Sequence, residues 1–414
     1  MVINMEKKPA IRFKEFTDSW EQRKFGEIYS NIRNAFVGTA TPYYVSDGHF
    51  YLESNNVKDG QINHNTEIFI NDYFYQKQKD KWLHTGDIVM VQSGHVGHTA
   101  VIPEKLNNLA AHALIMFSNQ MQIHNPYFIN YQAQNNKFKN KIVNITTGNT
   151  IKHILASDMK NFIIDVTNIK EEDKIANLFE EIDNLITLHQ RKYDKLVCIK
   201  KYMLEKMFPK NGSNVPEIRF KGFTDSWEQR KVCELVEFLR GRGLSWNDIK
   251  DDGKNECILY GNLYTDYGMV IKEVEYKTDV SKDAMVLSKF GDVLIPSSDT
   301  TPTGLARASS IDIADVILGG DINVLRPLKD NGDFISYSIN ANKSELVKRI
   351  KGTTVRHLNN SDIEDLEIKI PSSIEEQEKI SSALINIDNL ITLHQRKLEK
   401  LKNIKKSMLE KMFV

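Results

Sequence analysis

The chain repeats itself. Residues 11–24, IRFKEFTDSWEQRK, recur at 218–231 with one difference in 14 positions, Glu15 against Gly222. Residues 171–208 recur at 376–413 with 25 identities in 38 positions. Eleven of these are consecutive: IDNLITLHQRK stands at 182–192 and again at 387–397. Each copy closes on MLEKMF, at 203–208 and 408–413. Between these pieces, residues 25–170 and 232–375 share only a thin skeleton. GDIVMVQS (86–93) lines up with GDVLIPSS (291–298), TGNTIKHI (147–154) with GTTVRHL (352–358), and Ser157-Asp158 with Ser361-Asp362. Drift after a plain duplication erodes frame and insert alike. A near-identical frame around unlike inserts of equal size instead describes one task done twice, with two different tasks of one kind placed inside it. Two copies are too few for a solenoid.

The second half of each frame predicts one long helix. Residues 171–208 contain neither Gly nor Pro, and apolar residues recur at Ile175, Leu178, Ile182, Leu185, Leu196, Ile199 and Met203, a 3-4 spacing. Glu171, Glu172 and Asp173 occupy the first turn, where the helix dipole favours acids. Pro209 and Gly212 stop the helix. The second copy runs from about Ile374 to Phe413, and each helix is ~57 Å long at ~1.5 Å per residue. Residues 171–188 carry six acidic and one basic side chain, and residues 190–208 two and six. The second copy has three and one over 376–393, then two and seven over 395–413. Antiparallel packing sets acidic halves against basic halves, which favours that arrangement, although an exposed pair contributes only a few tenths of a kcal/mol. The expected pairing and docking surface comprises Ile175, Ile182, Leu185, His189, Leu196 and Met203 with Ile380, Ile387, Leu390, His394, Leu401 and Met408. His189 and His394 fall at the helix midpoints, either as a polar register pin or as two partly solvated seam residues.

The inserts read as mixed α/β domains. In the first, GDIVMVQ and residues 113–117 look like strands and 127–143 like a helix. In the second, GDVLIP and 322–327 look like strands and 334–351 like a helix. A polar loop of small residues follows the first strand of each: Gln92, Ser93, His95, His98 and Thr99 in one, Ser297, Ser298, Thr300, Thr301 and Thr303 in the other. Such side chains, with closely approaching Gly backbone, suit phosphate and base-edge contacts, and they also make ordinary turns. Asn149, Lys152 and Arg356 in the later Gly loops, Lys137, Lys139 and Lys141 on a predicted helix, and Arg240 and Arg242 around Gly241 complete the candidate nucleic-acid contacts. The balance of 55 basic and 55 acidic residues gives zero formal charge. Any DNA footprint is therefore local or shared with a partner.

Other classes lack their parts. A methyltransferase needs an Asn/Asp-Pro-Pro-aromatic loop to hold a flipped base. Asn125-Pro126-Tyr127-Phe128 lacks the second proline. There is no GxxxxGK[ST] phosphate loop. His95 and His98 have no evident third metal ligand, so no metal site is expected, and no catalytic residue stands out. Cys198, Cys233 and Cys257 lie far apart and read as reduced structural thiols. No apolar run approaches a membrane span and the N-terminus shows no signal-peptide core, so a cytoplasmic protein is expected.

This ordered set resembles the DNA-specificity subunits of type I restriction-modification systems. The set comprises the paired WEQRK openers at 20–24 and 227–231, the two GD strands, the TGNT and GTT loops, the Glu375-Glu-Gln-Glu-Lys379 helix opener and the LEKMF endings. No single motif is diagnostic, but the set is present twice and spans the chain. The resemblance implies an α+β chain with two mixed α/β target-recognition domains in an internal pseudo-twofold repeat, separated by two long antiparallel helices forming a coiled-coil spacer. The expected boundaries are 1–170, helix 171–208, linker 209–217, 218–374 and helix 375–414. It further implies double-stranded DNA as ligand, read as a bipartite asymmetric site. Two methyltransferase subunits and restriction/translocase subunits would be partners, with S-adenosylmethionine, ATP and Mg on those partners and no cofactor on this chain. A coiled-coil scaffold without sequence-specific DNA binding is the rival reading. It does not explain why two unlike inserts share one frame. A self-sufficient DNA-modifying enzyme is a second rival, and the missing motifs argue against it.

Overall fold

In the computed structural model, residues 8–148, 152–210 and 212–414 are described, and the chain divides into two compact units. The first comprises residues 1–188 and 397–414, and the second residues 189–396. Each unit therefore contains one domain, the first half of the long helix that follows it and the last turns of the other long helix. The long helices span Ile169–Lys206 and Ile374–Lys411, 38 residues each. Each begins slightly before, and ends two to three residues before, the expected ranges.

In the first unit a four-stranded antiparallel sheet places Leu114–Gln120 between Tyr29–Asn34 and Ile88–Val91, with Thr99–Val101 at the far edge. In the second, the equivalent sheet has five strands, in the order Val236–Arg240, Ile322–Pro327, Asp292–Pro296, Ser309–Ile311, Val270–Ile271. Ala113, expected at the start of a strand, instead has a positive φ of 52° and turns the chain into it. Each domain also carries a further four-stranded sheet of short strands that periodicity did not reveal. The single helices expected at 127–143 and 334–351 are each two helices, Pro126–Gln132 with Asn136–Ile145, and Gly332–Ala341 with Lys343–Val347. Asn135 makes the first break by accepting the Phe138 N–H at 2.7 Å, which starts a new helix.

The frame motifs close each domain. The opener strand Glu21–Lys24 pairs antiparallel with Ile163–Val166, just before the first long helix, and Glu228–Lys231 pairs in the same way with Glu367–Ile370. Arg12 donates two bonds, at 2.7 and 2.8 Å, to the buried Glu171 carboxylate, and Arg219 repeats both distances to Glu376. The MLEKMF ends supply core. Phe413, 1 % exposed, packs on Trp20, Phe128 and Phe179 with ring centroids 6.1, 5.3 and 5.9 Å away. Phe208 packs on Trp227 and Phe334 at 6.1 and 5.5 Å.

Within each unit the two helix segments run antiparallel. In the first, Phe179 meets Phe413 while Asp183, further along its helix, meets Lys405, earlier on its own. The seam follows a strict 3-4 rhythm: Ile175, Phe179, Ile182, Ile186, His189, Tyr193, Leu196, and equivalently Ile380, Leu384, Ile387, Ile391, His394, Leu398, Leu401. All are buried or half-buried. Leu185 and Leu390 do not belong to the seam. They are 44 % and 43 % exposed, because the adjacent Ile186 and Ile391 take the inward positions. His189 and His394, both half-buried, bond to each other through their Nδ1 atoms at 2.8 Å. One ring donates and the other accepts.

A lysine occupies the seam at Lys200 and Lys405, and each is used. Lys405 Nζ reaches Asp183 at 2.7 Å, and the Tyr131 hydroxyl donates to the same carboxylate at 3.0 Å. In the second unit Lys200 Nζ lies 2.5 Å from Asp388, which accepts from the Tyr337 hydroxyl at 2.7 Å. Burial beside these carboxylates pushes both tyrosine hydroxyls well above their ordinary value.

Phe413→Ala should destabilise the first unit by about 3–5 kcal/mol, the usual result of emptying an aromatic site in a core. The urea-unfolding midpoint of the purified chain is the measurement. A midpoint unchanged from wild type would mean that the helix end is peripheral to the domain core.

Candidate DNA interface

In the first domain the turn at Gly86 and Asp87 leads into the fully buried strand Ile88–Val91, which delivers the polar loop at the sheet end. The later Gly loop lies against it. Ser93 and Thr147 both bridge to His153, the Gly94 N–H donates to Lys152 O at 3.3 Å, and the Ile154 N–H donates to Gln92 O at 3.0 Å. The structure thus brings Gln92, Ser93 and His95 beside Lys152. Asn149 lies outside the described residues. Gly97 is required twice over. Its φ is +89°, and a Cβ there would sit 2.9 Å from Ile142 Cγ2.

His98 does not share the exposure of His95. Its Nδ1 accepts the Asp59 N–H at 3.3 Å. With Lys139, Asp59 and Gly97 it lines a cavity of about 170 Å³. Desolvation lowers its pKa, Asp59 opposes this, and Lys139, His95 and Lys58 add to the lowering. Thr99 is a correction to the expected contacts. It is 4 % exposed and donates to Asn130 Oδ1 at 2.8 Å, so it holds the sheet edge. The three lysines do not form one stripe either. Lys139 faces the His98 cavity, whereas Lys141 Nζ lies 3.7 Å from Asp165. Lys137 is exposed on the same helix.

The second domain repeats the device with other side chains. Ser298 pairs with His357 and Asp299 with Arg356, while the Leu358 N–H donates to Ser297 O at 3.0 Å. Ser297 itself is buried, and Arg240 reaches it at 3.4 Å while bonding Asp321 at 3.1 Å and Asn359 at 3.3 Å. Thr300 and Thr301 turn their hydroxyls onto Asp299, at 3.3 and 3.1 Å. Gly304 leaves room for that carboxylate: a Cβ there would lie 1.5 Å from Asp299 Oδ2 and force the Asp299 side chain to move. Thr303 lies in the short helix Pro302–Leu305. Arg356 donates to Gly352 O at 3.3 Å, and Arg242 is exposed beyond the end of the Val236–Arg240 strand, apart from the Ser297 cluster. Among the described residues no cluster of three or more His, Cys, Asp or Glu side chains is arranged to hold a metal ion. No helix among them is long and apolar enough to cross a membrane.

The same pair of loops stands at the same place in both sheets, and comparison with known proteins places the chain as a whole in a family. The family model for the type I restriction modification DNA specificity domain matches twice, over residues 18–197 and 224–403. The chain belongs to the type I restriction modification DNA specificity family. Among curated relatives, it is 21 % identical over 432 residues to the type I restriction enzyme MjaVIII specificity subunit of Methanocaldococcus jannaschii, covering 99 % of this chain and 96 % of that one. It is 22 % identical over 408 residues to the putative MjaX specificity subunit of the same organism, covering 95 % and 93 %. The crystal structure of the type I restriction-modification S subunit from M. genitalium shares the fold, with a TM-score of 0.67 at 14 % identity over 98 % of this chain and 99 % of that one. The role of this chain is DNA sequence specificity, and it is a specificity subunit, not a catalytic one.

Sequence reasoning missed the polar contacts that hold each domain to its helix: Arg12 to Glu171, Tyr131 to Asp183 to Lys405, and their counterparts. The signal was present, since each of these residues recurs identically in both copies.

Two outcomes follow for the interface. Lys152→Ala should weaken DNA binding by the assembled complex and reduce its salt slope by about one, whereas Lys141→Ala, whose partner is Asp165, should leave both unchanged. Binding isotherms at several salt concentrations decide this, and equal effects would remove Lys152 from the interface. For His98, the folded pKa lies below the unfolded value of 6.5, so the unfolded chain takes up the proton first. That contribution to stability is present at neutral pH and is lost as pH falls below about 6.5. Unfolding midpoints of wild type should therefore drop more between neutral and acidic pH than those of His98→Gln. Parallel profiles would contradict the assignment.

Proposed function

We propose that this chain reads a split, asymmetric DNA sequence, one half with each domain, and that its frame docks two copies of an adenine methyltransferase subunit. The observation that carries this reading is one device built twice with different chemistry. In each domain the loop after the Gly-Asp strand is paired to the Gly loop before the frame. The first presents His95 and Lys152 there, and the second presents Thr300 and Arg356. Histidine, lysine, threonine and arginine at a sheet end suit phosphate and base-edge contacts.

The frame supports the partner assignment. LITL recurs in both long helices, and its Leu185, Leu188, Leu390 and Leu393 are exposed, offering the same apolar surface twice. Two equivalent surfaces suit two copies of one partner. The helices would set the gap between half-sites. A length of ~57 Å corresponds to at most ~17 base pairs, and domains curving toward the DNA would shorten that to about one helical turn. Restriction/translocase subunits would join the assembly. S-adenosylmethionine, ATP and Mg would sit on the partner subunits, and the complex would work in the cytoplasm. The zero formal charge fits weak, salt-sensitive DNA binding by this chain alone, with partners supplying phosphate contacts.

The test is a genome-wide map of methylated adenines in a host without background adenine methylation, co-expressing this chain with its methyltransferase subunit. A split motif with a fixed gap, dependent on this chain, is the expected result. Exchanging residues 25–170 for another domain of the class should then change one half-site and leave the other. A purified complex that adds no methylation would contradict the reading.

A further inference from the structure

Among the fully buried positions at which the two copies of the frame differ, one is polar in both copies and lies where each domain is seated. Glu172 and Gln377 are equivalent, and both are 0 % exposed. Each uses one side-chain oxygen in the same way. Glu172 Oε2 accepts the Asn125 N–H and Gln377 Oε1 accepts the Asn331 N–H, both at 2.8 Å. These asparagines cap equivalent helices, Pro126–Gln132 and Gly332–Ala341, so this bond seats a core helix of the domain on the frame.

The other end of the side chain has opposite polarity in the two copies. Glu172 Oε1 is an acceptor, and the domain presents His124 Nδ1 at 2.8 Å, with the Thr167 N–H at 3.2 Å. Gln377 Nε2 is a donor, and the domain presents the Asp330 carboxylate at 3.0 Å, with Pro371 O also at 3.0 Å. His124 and Asp330 occupy the same place, immediately before the capping asparagine. The frame changes from Glu to Gln where the insert changes from His to Asp, so donor faces acceptor in both copies.

We propose that this pair is a matched key that decides which recognition domain a given frame position accepts. The key is asymmetric. A domain carrying aspartate on a glutamate frame sets a second carboxylate at hydrogen-bond distance from a fully buried one, where the two repel unless one takes up a proton. A domain carrying histidine on a glutamine frame is tolerated, because a neutral imidazole accepts from the amide by changing tautomer. Asp330 Oδ2 is already buried without a hydrogen-bond partner among the described residues, so that site has no spare donor for a second acid. The inference concerns assembly of the chain and stands whether or not the domains read DNA as proposed above.

The experiment is a pair of double-mutant cycles in the full-length chain, read by thermal unfolding, which needs neither DNA nor partner subunits. In the first frame His124→Asp should lower the melting temperature by about 5–10 °C, and adding Glu172→Gln should recover at least half of that loss. In the second, Gln377→Glu should cause a comparable loss, recovered by Asp330→His, while Asp330→His alone should cost far less than Gln377→Glu alone. If a single variant does not fold, a cooperative melt of the corresponding double variant supports the key. Additive losses, or a double variant as unfolded as the single, would overturn it.

Discussion

The fold depends on where the last turn of each long helix goes. A helix with an apolar stripe along 38 residues cannot bury that stripe against its own domain alone. Here the stripe is covered by the other long helix, and the end of that helix enters the domain core. Phe413 lies among Trp20, Phe128 and Phe179, and Phe208 lies between Trp227 and Phe334. The first compact unit is completed by residues 397–414, more than two hundred positions beyond its domain, and the second by the end of the helix that precedes its domain. The two copies of the frame are therefore not independent modules, and MLEKMF is retained at both ends because it fills a core.

Polar contacts give this packing its register. A purely apolar 3-4 seam tolerates sliding by a heptad, whereas a buried lysine must find a carboxylate. Lys405 finds Asp183 and Lys200 finds Asp388, and a domain tyrosine donates to each carboxylate. One triad joins the domain, the helix that follows it and the other helix, so correct pairing and correct seating are satisfied together. The bidentate arginine pairs at Glu171 and Glu376 do the same for the chain segment that opens each domain. With the frame held in this way, the loops at the sheet ends are free to differ. Their shape rests on the pairing of the two loops with each other, and on Gly97, whose positive φ and close approach to Ile142 disfavour any larger residue.

Where sequence reasoning went astray, the reasons are physical. Leu185 and Ile186 are adjacent and both apolar, and a short window cannot tell which faces inward when the helical and heptad periods differ by a tenth of a residue. The seam took Ile186, leaving Leu185 exposed. Thr99 and Ser297 sit in polar loops and read as surface groups, but both are buried, Thr99 on Asn130 and Ser297 beside Arg240 and Asp321. The short strands of the second sheet in each domain run to two to four residues, too short for alternation to register. The lysines at 137, 139 and 141 looked like a cluster in sequence, but on the helix Lys137 and Lys141 share one face and Lys139 points away from it, toward the His98 cavity.

The sequence by itself determined the organisation: two copies of one frame, unlike inserts, two long helices, and a charge distribution that prefers antiparallel pairing. These are properties of composition and period, and a repeat states them twice. Tertiary structure alone decided which residues meet. No local pattern shows that Phe413 belongs beside Trp20, that Lys405 belongs to Asp183, or that Glu172 faces His124 where Gln377 faces Asp330. Those pairings join positions 47 to nearly 400 residues apart, and they exist only once the chain has folded back on itself.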